Sequence, residues 1–152
     1  MKISTKGRYA LRMMTDIALH SGGECVSLKD VSARQKISVK YLEQIVMQLT
    51  KAGLLKSVRG PQGGYKLTRR AEDYTVGEIL GGTEGSLAPV PCIEMGSSAC
   101  ELYDTCPTSG FWKRVYDAVM NVVDNTTLYD LAEEYKQKTE NGQNVTTYVS
   151  DD

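Results

Sequence analysis

Apolar residues recur every three to four positions in three consecutive segments near the start of the chain, a spacing that predicts three amphipathic helices. The first helix is expected over 9–20 and the second over 28–35. The third follows Ser38, a residue type that caps helix N-termini, and ends before Gly53, a residue type that follows helix C-termini. The apolar stripe that this third helix is expected to bury consists of Leu42, Ile45, Val46 and Leu49.

A β-hairpin is predicted directly after the third helix. Residues 54–58 and 65–68 read as its two strands, and the intervening 59–64 is rich in glycine and proline. Two helices joined by a short turn and followed by a hairpin are the order of a winged helix-turn-helix domain, which binds DNA. With a short capped helix over 75–80, this domain is expected to occupy residues 1–80.

The second half of the chain has a different pattern. Residues 81–110 show neither the spacing of three to four residues that is typical of a helix nor the alternation that is typical of a strand. We therefore predict a long cysteine-containing loop, and loops of that length are usually functional or disordered. Helical spacing returns in 111–135, where a long helix followed by a short terminal helix is expected. The long helix carries an apolar stripe that another surface must cover. Residues 136–152 are expected to form a polar tail. The predicted fold class is mainly α with a small β-hairpin wing.

The net charge of −1 conceals two oppositely charged halves. Residues 1–70 contain 14 lysines and arginines against four acidic residues, whereas residues 71–152 contain four against 15. A basic half suits a polyanion such as DNA. The chain has neither an apolar run of about 20 residues nor the pattern of a signal peptide, so we expect a cytoplasmic protein without membrane contact.

The third helix is expected to enter the major groove of double-stranded DNA. Lys40, Glu43 and Gln44 share the face opposite the buried stripe. Gln44 suits a bidentate contact with adenine, and Glu43 suits the amino group of cytosine. Ser38 and Tyr41 suit phosphate or base contacts.

Other basic and glycine residues extend this predicted DNA surface. Arg59 at the hairpin tip suits a narrow minor groove, and Gly60 lets the backbone turn sharply and approach closely. No Gly-Lys-Ser/Thr sequence follows the tip, which argues against a phosphate-binding loop of the nucleotide-binding type. Phosphate contacts are expected from Lys2, Lys6, Arg8 and Arg12.

Three cysteines, Cys92, Cys100 and Cys106, lie within the predicted loop with seven and five residues between them. Three thiolates bind zinc, copper(I) or an iron–sulfur cluster, and the spacing leaves zinc and cluster open. Direct reaction of the thiols with oxidants and three unrelated cysteines are the other interpretations. Cys25 stands apart and is expected to be a small buried apolar residue. An enzyme is disfavoured because the chain has a single histidine, His20, placed in the first helix.

A family resemblance is carried by three segments, the opening 1–10, the Tyr-Leu-Glu-Gln of 41–44 and the glycine-rich 58–65. Over residues 1–135 the chain resembles the IscR-type regulators, bacterial winged-helix transcription regulators that include IscR, NsrR and CymR. The resemblance implies a homodimer, held by a dimerisation helix within 111–135, and a pseudo-palindromic operator. It also implies a 2Fe–2S or 4Fe–4S cluster bound by the three cysteines, which members of the CymR branch lack.

The fourth ligand of such a cluster stays open. IscR members carry a histidine three residues after the last cysteine, where this chain has Ser109, and NsrR-like members use an acidic residue near the N-terminus, where it has Arg8. Ser109, Glu101, Asp104 and a group from the partner subunit are the candidates. We predict a repressor of iron–sulfur cluster biogenesis genes, in which cluster binding orders 81–110 and sets the spacing of the two recognition helices. A nitric oxide-sensing cluster regulator and a thiol-based redox or metal regulator without a cluster are the alternatives.

Overall fold

The computed structural model describes residues 1–142 and places most of them in helices. No helix within this range is long and apolar enough to cross a membrane. Short 3-10 turns occur at Ala71–Asp73, Gly96–Ser98 and Tyr103–Thr105. The helices and strands are α1 (Thr5–His20), α2 (Leu28–Gln35), α3 (Val39–Lys51), β1 (Leu55–Val58), β2 (Gly64–Leu67), α4 (Val76–Glu84), α5 (Cys92–Met95), α6 (Ser109–Asp124) and α7 (Leu128–Gly142).

Serine hydroxyls cap the first three helices. Ser38 Oγ accepts a hydrogen bond from the N–H of Tyr41 at 3.2 Å, which confirms the predicted start of α3. α2 has the predicted bounds. α1 begins earlier than expected, at Thr5, because Ser4 Oγ accepts a hydrogen bond from the N–H of Gly7 at 3.1 Å. Apolar periodicity does not register the polar first turn that this cap supports.

The main core lies where α1, α2 and α3 meet. The four predicted stripe residues of α3 are all buried there, and α7 contributes Leu128. Tyr74 is buried in the same core, and its hydroxyl accepts hydrogen bonds from the N–H groups of Thr68 and Arg69 at 2.7 and 3.1 Å. The same hydroxyl donates to the carbonyl oxygen of Leu54 at 2.9 Å. Tyr74 thereby ties both ends of the hairpin to the helical core.

A buried carboxylate fixes α2 against α1. The side chain of Asp16 accepts hydrogen bonds from Arg34 Nη2 at 2.7 Å and Arg34 Nε at 3.0 Å, and from Gln35 Nε2 at 2.9 Å. Asp16 is 1% exposed, so this charge is stable in the core only because these donors replace its water. The helix-turn-helix therefore has a fixed orientation relative to α1.

The predicted wing is present as an antiparallel pair in which Leu55 faces Leu67 and Val58 faces Gly64. The segment before α2 also pairs with β2, since Val26 and Tyr65 exchange two backbone hydrogen bonds at 3.0 and 2.9 Å. A side chain at Gly64, whose φ is +152°, would strike the Val26 backbone. Glycine at this position lets the wing lie directly against the helical body.

The predicted irregular loop over 81–110 is partly wrong. α4 continues to Glu84 instead of ending at Leu80. Gly82 lies against Leu54 so closely that a Cβ there would be 3.3 Å from Leu54 Cδ1, so this packing favours continuing the helix through two glycines. α5 and two 3-10 turns also form within the segment, and α6 begins at Ser109.

The last helix is longer than predicted as well. α7 continues past Tyr135 to Gly142, so the first part of the expected polar tail is helical, and residues 143–152 lie outside the described range. The apolar pattern stops at Tyr135, but local contacts carry the helix onward. Lys136 Nζ bonds Glu133 at 2.7 Å, and Thr139 Oγ1 donates to a backbone carbonyl one turn earlier at 3.1 Å.

Candidate nucleic-acid interface and cysteine segment

The outer face of α3 presents the predicted base-reading residues. Lys40, Glu43 and Gln44 are exposed, opposite the buried stripe. Tyr41 is only half-buried, and its ring packs edge-on against Tyr9 with the ring centres 5.6 Å apart. Ser38 is exposed, but its hydroxyl already caps the helix. Ser38 and Tyr41 therefore have structural contacts in addition to any contact with DNA.

This outer face extends further along α3 than the sequence analysis recognised. Met47 is 72% exposed, and Lys51 is exposed one turn beyond it. The spacing in the sequence indicates this longer face, since residues 40, 44, 47 and 51 fall on one side of a helix with 3.6 residues per turn. A methionine on an otherwise charged face is easily read as a core residue from sequence alone.

The wing lies beside this face and leaves a cleft between them. Arg59 and Gly60 are exposed at the tip, where Gly60 has a φ of +116° and its carbonyl accepts from the N–H of Gly63 at 2.9 Å. That turn needs the conformational freedom of glycine. The cleft is lined by Val46, Met47, Thr50, Lys51, Ser57 and Tyr65.

Only some of the basic residues of the first half have free charges. Lys2 is exposed and Lys6 half-buried near the start of α1. Arg8 donates to the hydroxyl of Thr5 at 3.0 Å and stays exposed. Arg12, in contrast, bonds both the side chain and the carbonyl of Gln35, so its guanidinium caps the end of α2. Arg69 and Arg70 also have acidic partners, Glu78 and Glu72.

A side chain of α4 ties the start of α1 to the beginning of the cysteine segment, which comprises residues 85–108. Glu84, the last residue of α4, accepts hydrogen bonds from the N–H of Ser4 at 2.9 Å and from the Ser4 hydroxyl. A side chain at Gly7 would collide with this same carboxylate. Lys2 and Lys6, two of the predicted phosphate contacts, flank Ser4 in the sequence, so these hydrogen bonds join α4 to the basic N-terminus.

The three predicted ligand cysteines are spread along the segment 85–108. Cys92 begins α5, Cys100 lies between the two 3-10 turns and Cys106 precedes α6; all three are half-buried free thiols. Within residues 1–142 no three histidine, cysteine or acidic side chains are close enough together to hold a metal ion. The donor set fits an iron–sulfur centre in chemistry, whereas the fold does not hold it preassembled. Cys25 is half-buried, not fully buried as expected, because it lies at the surface end of the turn before Val26.

The environment of Cys106 favours its thiolate. Cys106 Sγ lies 3.4 Å from the hydroxyl of Thr108. This hydrogen bond, with the backbone N–H groups of Thr108 and Ser109, lowers the pKa of the Cys106 thiol. Ser109, the predicted stand-in for a fourth ligand, donates its hydroxyl to the Cys106 carbonyl at 3.3 Å. The other two candidates in this chain, Glu101 and Asp104, are exposed.

A carboxylate anchors the cysteine segment to α6. Glu94, two residues after Cys92, accepts hydrogen bonds from the Ser86 hydroxyl at 2.8 Å and from the Tyr116 hydroxyl at 3.2 Å. Burial, together with this carboxylate, raises the pKa of Tyr116. The first cysteine is thereby linked to the long helix, and through Glu84 the segment is linked to α1.

α6 itself has two apolar sides. Met120 and Val123 pack against the small cluster that α4 forms with Leu87, so this side is covered within the protomer. The other side carries Phe111 and Val122, which are 50% and 63% exposed. No residue of α6 is fully buried, although the helix has 16 residues.

Comparison with known proteins identifies the family. The sequence profile of the Rrf2 family, described as "Iron-dependent Transcriptional regulator", matches residues 3–134. The transcriptional regulator IscR of Pectobacterium atrosepticum is 40% identical over 131 residues, which are 86% of this chain and 79% of the relative.

The fold also matches that of several solved structures. CymR, the global cysteine regulator of B. subtilis, has a TM-score of 0.74 and 41% identity, covering 88% of this chain and 98% of that one. IscR of T. potens has a TM-score of 0.72 and 38% identity, covering 97% of this chain and 94% of that one. The predicted winged-helix fold and the predicted resemblance to IscR are confirmed. This protein belongs to the Rrf2 family of DNA-binding transcriptional regulators and is of the IscR type, not an enzyme.

Proposed function

We propose that this protein is a repressor of iron–sulfur cluster biogenesis genes and that it senses an iron–sulfur cluster held by Cys92, Cys100 and Cys106. The observation that carries the proposal is the three free, half-buried thiols on one segment that side-chain hydrogen bonds tie to α1 and α6. Glu94 links that segment to α6, and Glu84 links its beginning to α1. We therefore expect a change in the cysteine segment to affect the positions of both α6 and the basic N-terminal residues.

The chemistry of the residues around the thiols supports the proposed ligand set. A bound cluster would supply a redox-active iron centre that oxygen, nitric oxide or iron shortage can remove. Thr108 favours the thiolate that iron requires at Cys106. Ser109 is half-buried beside Cys106, whereas Glu101 and Asp104 are exposed on the segment itself. A 2Fe–2S and a 4Fe–4S centre are both compatible with three thiolates and one weaker ligand.

Anaerobic purification tests the cluster directly. The wild-type protein is expected to show visible absorbance, and Mössbauer or resonance Raman spectra assign the cluster type. Replacing Cys92, Cys100 and Cys106 together by alanine is expected to abolish that absorbance. Cys25→Ala is the matched control, because it removes a half-buried free thiol outside the segment. Absorbance that survives in the triple variant contradicts the ligand assignment.

DNA binding is proposed to involve the exposed face of α3, the wing tip and the start of α1. Gel shifts on a duplex selected from a random pool test the separate roles. Gln44→Ala is expected to lower affinity for the selected duplex about tenfold or more, with little change on random DNA. Lys2→Ala is expected to weaken binding to both and to reduce the logarithmic salt slope by about one. Equal losses on both duplexes for Gln44→Ala contradict base reading by this residue.

The outward side of α6 is proposed to bind a second copy of the chain. Phe111, Val115 and Val122 recur at helical spacing on this side, and such an uncovered apolar row is typical of a helix pair. Val122→Lys is expected to convert a dimer to a monomer in analytical ultracentrifugation. Asn121→Lys adds the same charge one residue away, at another exposed position, and is expected to leave the dimer intact. A Val122→Lys variant that stays dimeric contradicts this interface.

A cluster-free thiol regulator is the second candidate. One observation favours it: the three thiols are not gathered into a site within residues 1–142. The lowered pKa of Cys106 suits a reactive thiol as well as an iron ligand. The similarity to CymR, the global cysteine regulator of B. subtilis, points the same way. Iron-free protein that binds the selected duplex, and loses binding when Cys106 alone is oxidised, would favour this candidate over the cluster sensor.

A further inference from the structure

An apolar side chain stands on the outer face of α3, about one turn beyond the predicted base-reading residues. Met47 is 72% exposed, and no other residue of α3 exposes a larger apolar side chain. The core-facing stripe of α3 lies on the opposite side of the helix. Packing of the core therefore does not account for a methionine at this position.

The position of Met47 on the helix is that of a groove-facing residue. At 100° per residue it falls within about 20° of Lys40 around the helix axis, between Glu43 and Gln44. It lies about 4.5 Å beyond Gln44 along that axis, since each residue rises 1.5 Å. Its side chain also lines the cleft between α3 and the wing.

We propose that Met47 contacts the C5-methyl group of a thymine in the major groove and selects a T·A pair at that position. This inference rests on the proposed reading of bases by α3. The thymine methyl is the one apolar group on the major-groove edges of the bases, and apolar side chains recognise it. Lys40 and Lys51 flank Met47 on the same face, so the surroundings suit a polyanion and not an apolar protein surface.

Replacing thymine by deoxyuracil tests the contact because it deletes only the methyl group. Duplexes are selected from a random pool with the wild-type protein, and each thymine is then replaced singly by deoxyuracil. Wild-type affinity is expected to fall about fourfold when one particular thymine is replaced, because the burial of one methyl-sized apolar group is lost. Met47→Ala is expected to bind the thymine and deoxyuracil duplexes equally at that position, and to keep the wild-type response elsewhere.

Met95→Ala is the matched control, since Met95 is also an exposed methionine (59%) but lies on α5. It is expected to respond to deoxyuracil as the wild type does. Circular dichroism checks that each variant is folded. If Met47→Ala retains the wild-type response at every position, or no thymine methyl matters to the wild type, the proposed contact is wrong while base reading stands. If the wild type selects no duplex at all, base reading by α3 and the proposed contact both fail.

Discussion

The ion pair between Asp16 and Arg34 decides how firmly the helix-turn-helix is held, and its two partners are expected to respond unequally to substitution. The Asp16 side chain has no exposed surface, whereas that of Arg34 is 34% exposed. Arg34→Ala leaves a carboxylate in the core with Gln35 as its side-chain hydrogen-bond donor and with His20 Nδ1 3.6 Å away. Breaking a buried pair in this way costs about 3–5 kcal/mol of unfolding free energy.

Asp16→Ala is expected to cost less, about 1–3 kcal/mol, because the partly exposed guanidinium can regain water. Urea unfolding followed by far-ultraviolet circular dichroism, at one protein concentration, measures both variants and the double variant. The double variant is expected to lose less than the sum of the single losses, since each single change already breaks the pair.

Arg70→Ala is the matched control, because Arg70 pairs with Glu72 at the surface with the two side chains 76% and 44% exposed. Its expected cost is below about 1 kcal/mol. An Asp16→Ala variant less stable than Arg34→Ala, or strictly additive losses, would refute the argument from unequal burial.

Three further predictions concern other contacts. Tyr74→Phe is expected to lower the free energy of unfolding by about 2 kcal/mol because two N–H groups and a carbonyl lose their partner; a loss below about 0.5 kcal/mol in urea would contradict this. Gly7→Ala is expected to lower the melting temperature through collision with Glu84, and Glu84→Ala in the same chain to restore part of it in calorimetry; no recovery would leave the collision unsupported. Thr108→Val is expected to raise the thiol pKa of Cys106 toward its usual value and slow its alkylation by iodoacetamide at neutral pH, relative to the other thiols; unchanged rates by mass spectrometry would speak against the hydrogen bond.

Local patterns predicted the helix-turn-helix and the wing well, because the buried positions, caps and turns of these elements depend on residues that are close together in the sequence. The α3 stripe alternates with polar positions at helical spacing, and the cap at Ser38 lies directly before it. The glycines of the wing tip likewise correspond to a turn that the structure contains. The charge difference between the halves requires no structure at all.

The errors lie where the apolar pattern does not register the contact that decides the outcome, whether that contact is distant in sequence or local and polar. α4 continues through Gly81 and Gly82, which on propensity alone disfavour a helix, because Gly82 packs on Leu54. The extension of α7 past Tyr135 depends on side-chain bonds that carry no apolar signature. The predicted cysteine ligands share a segment, but spacing along a chain does not specify whether three thiols meet in space.

The sequence by itself determined the kind of protein this is: a basic winged helix-turn-helix followed by an acidic half with three clustered cysteines. Those features depend on neighbours within a few residues or on simple counts of charge. Only the tertiary structure decided which charges are free for DNA and that Glu84 joins the cysteine segment to α1. These depend on which surfaces pack together, and burial of distant residues against each other is set by the whole fold and not by any local pattern.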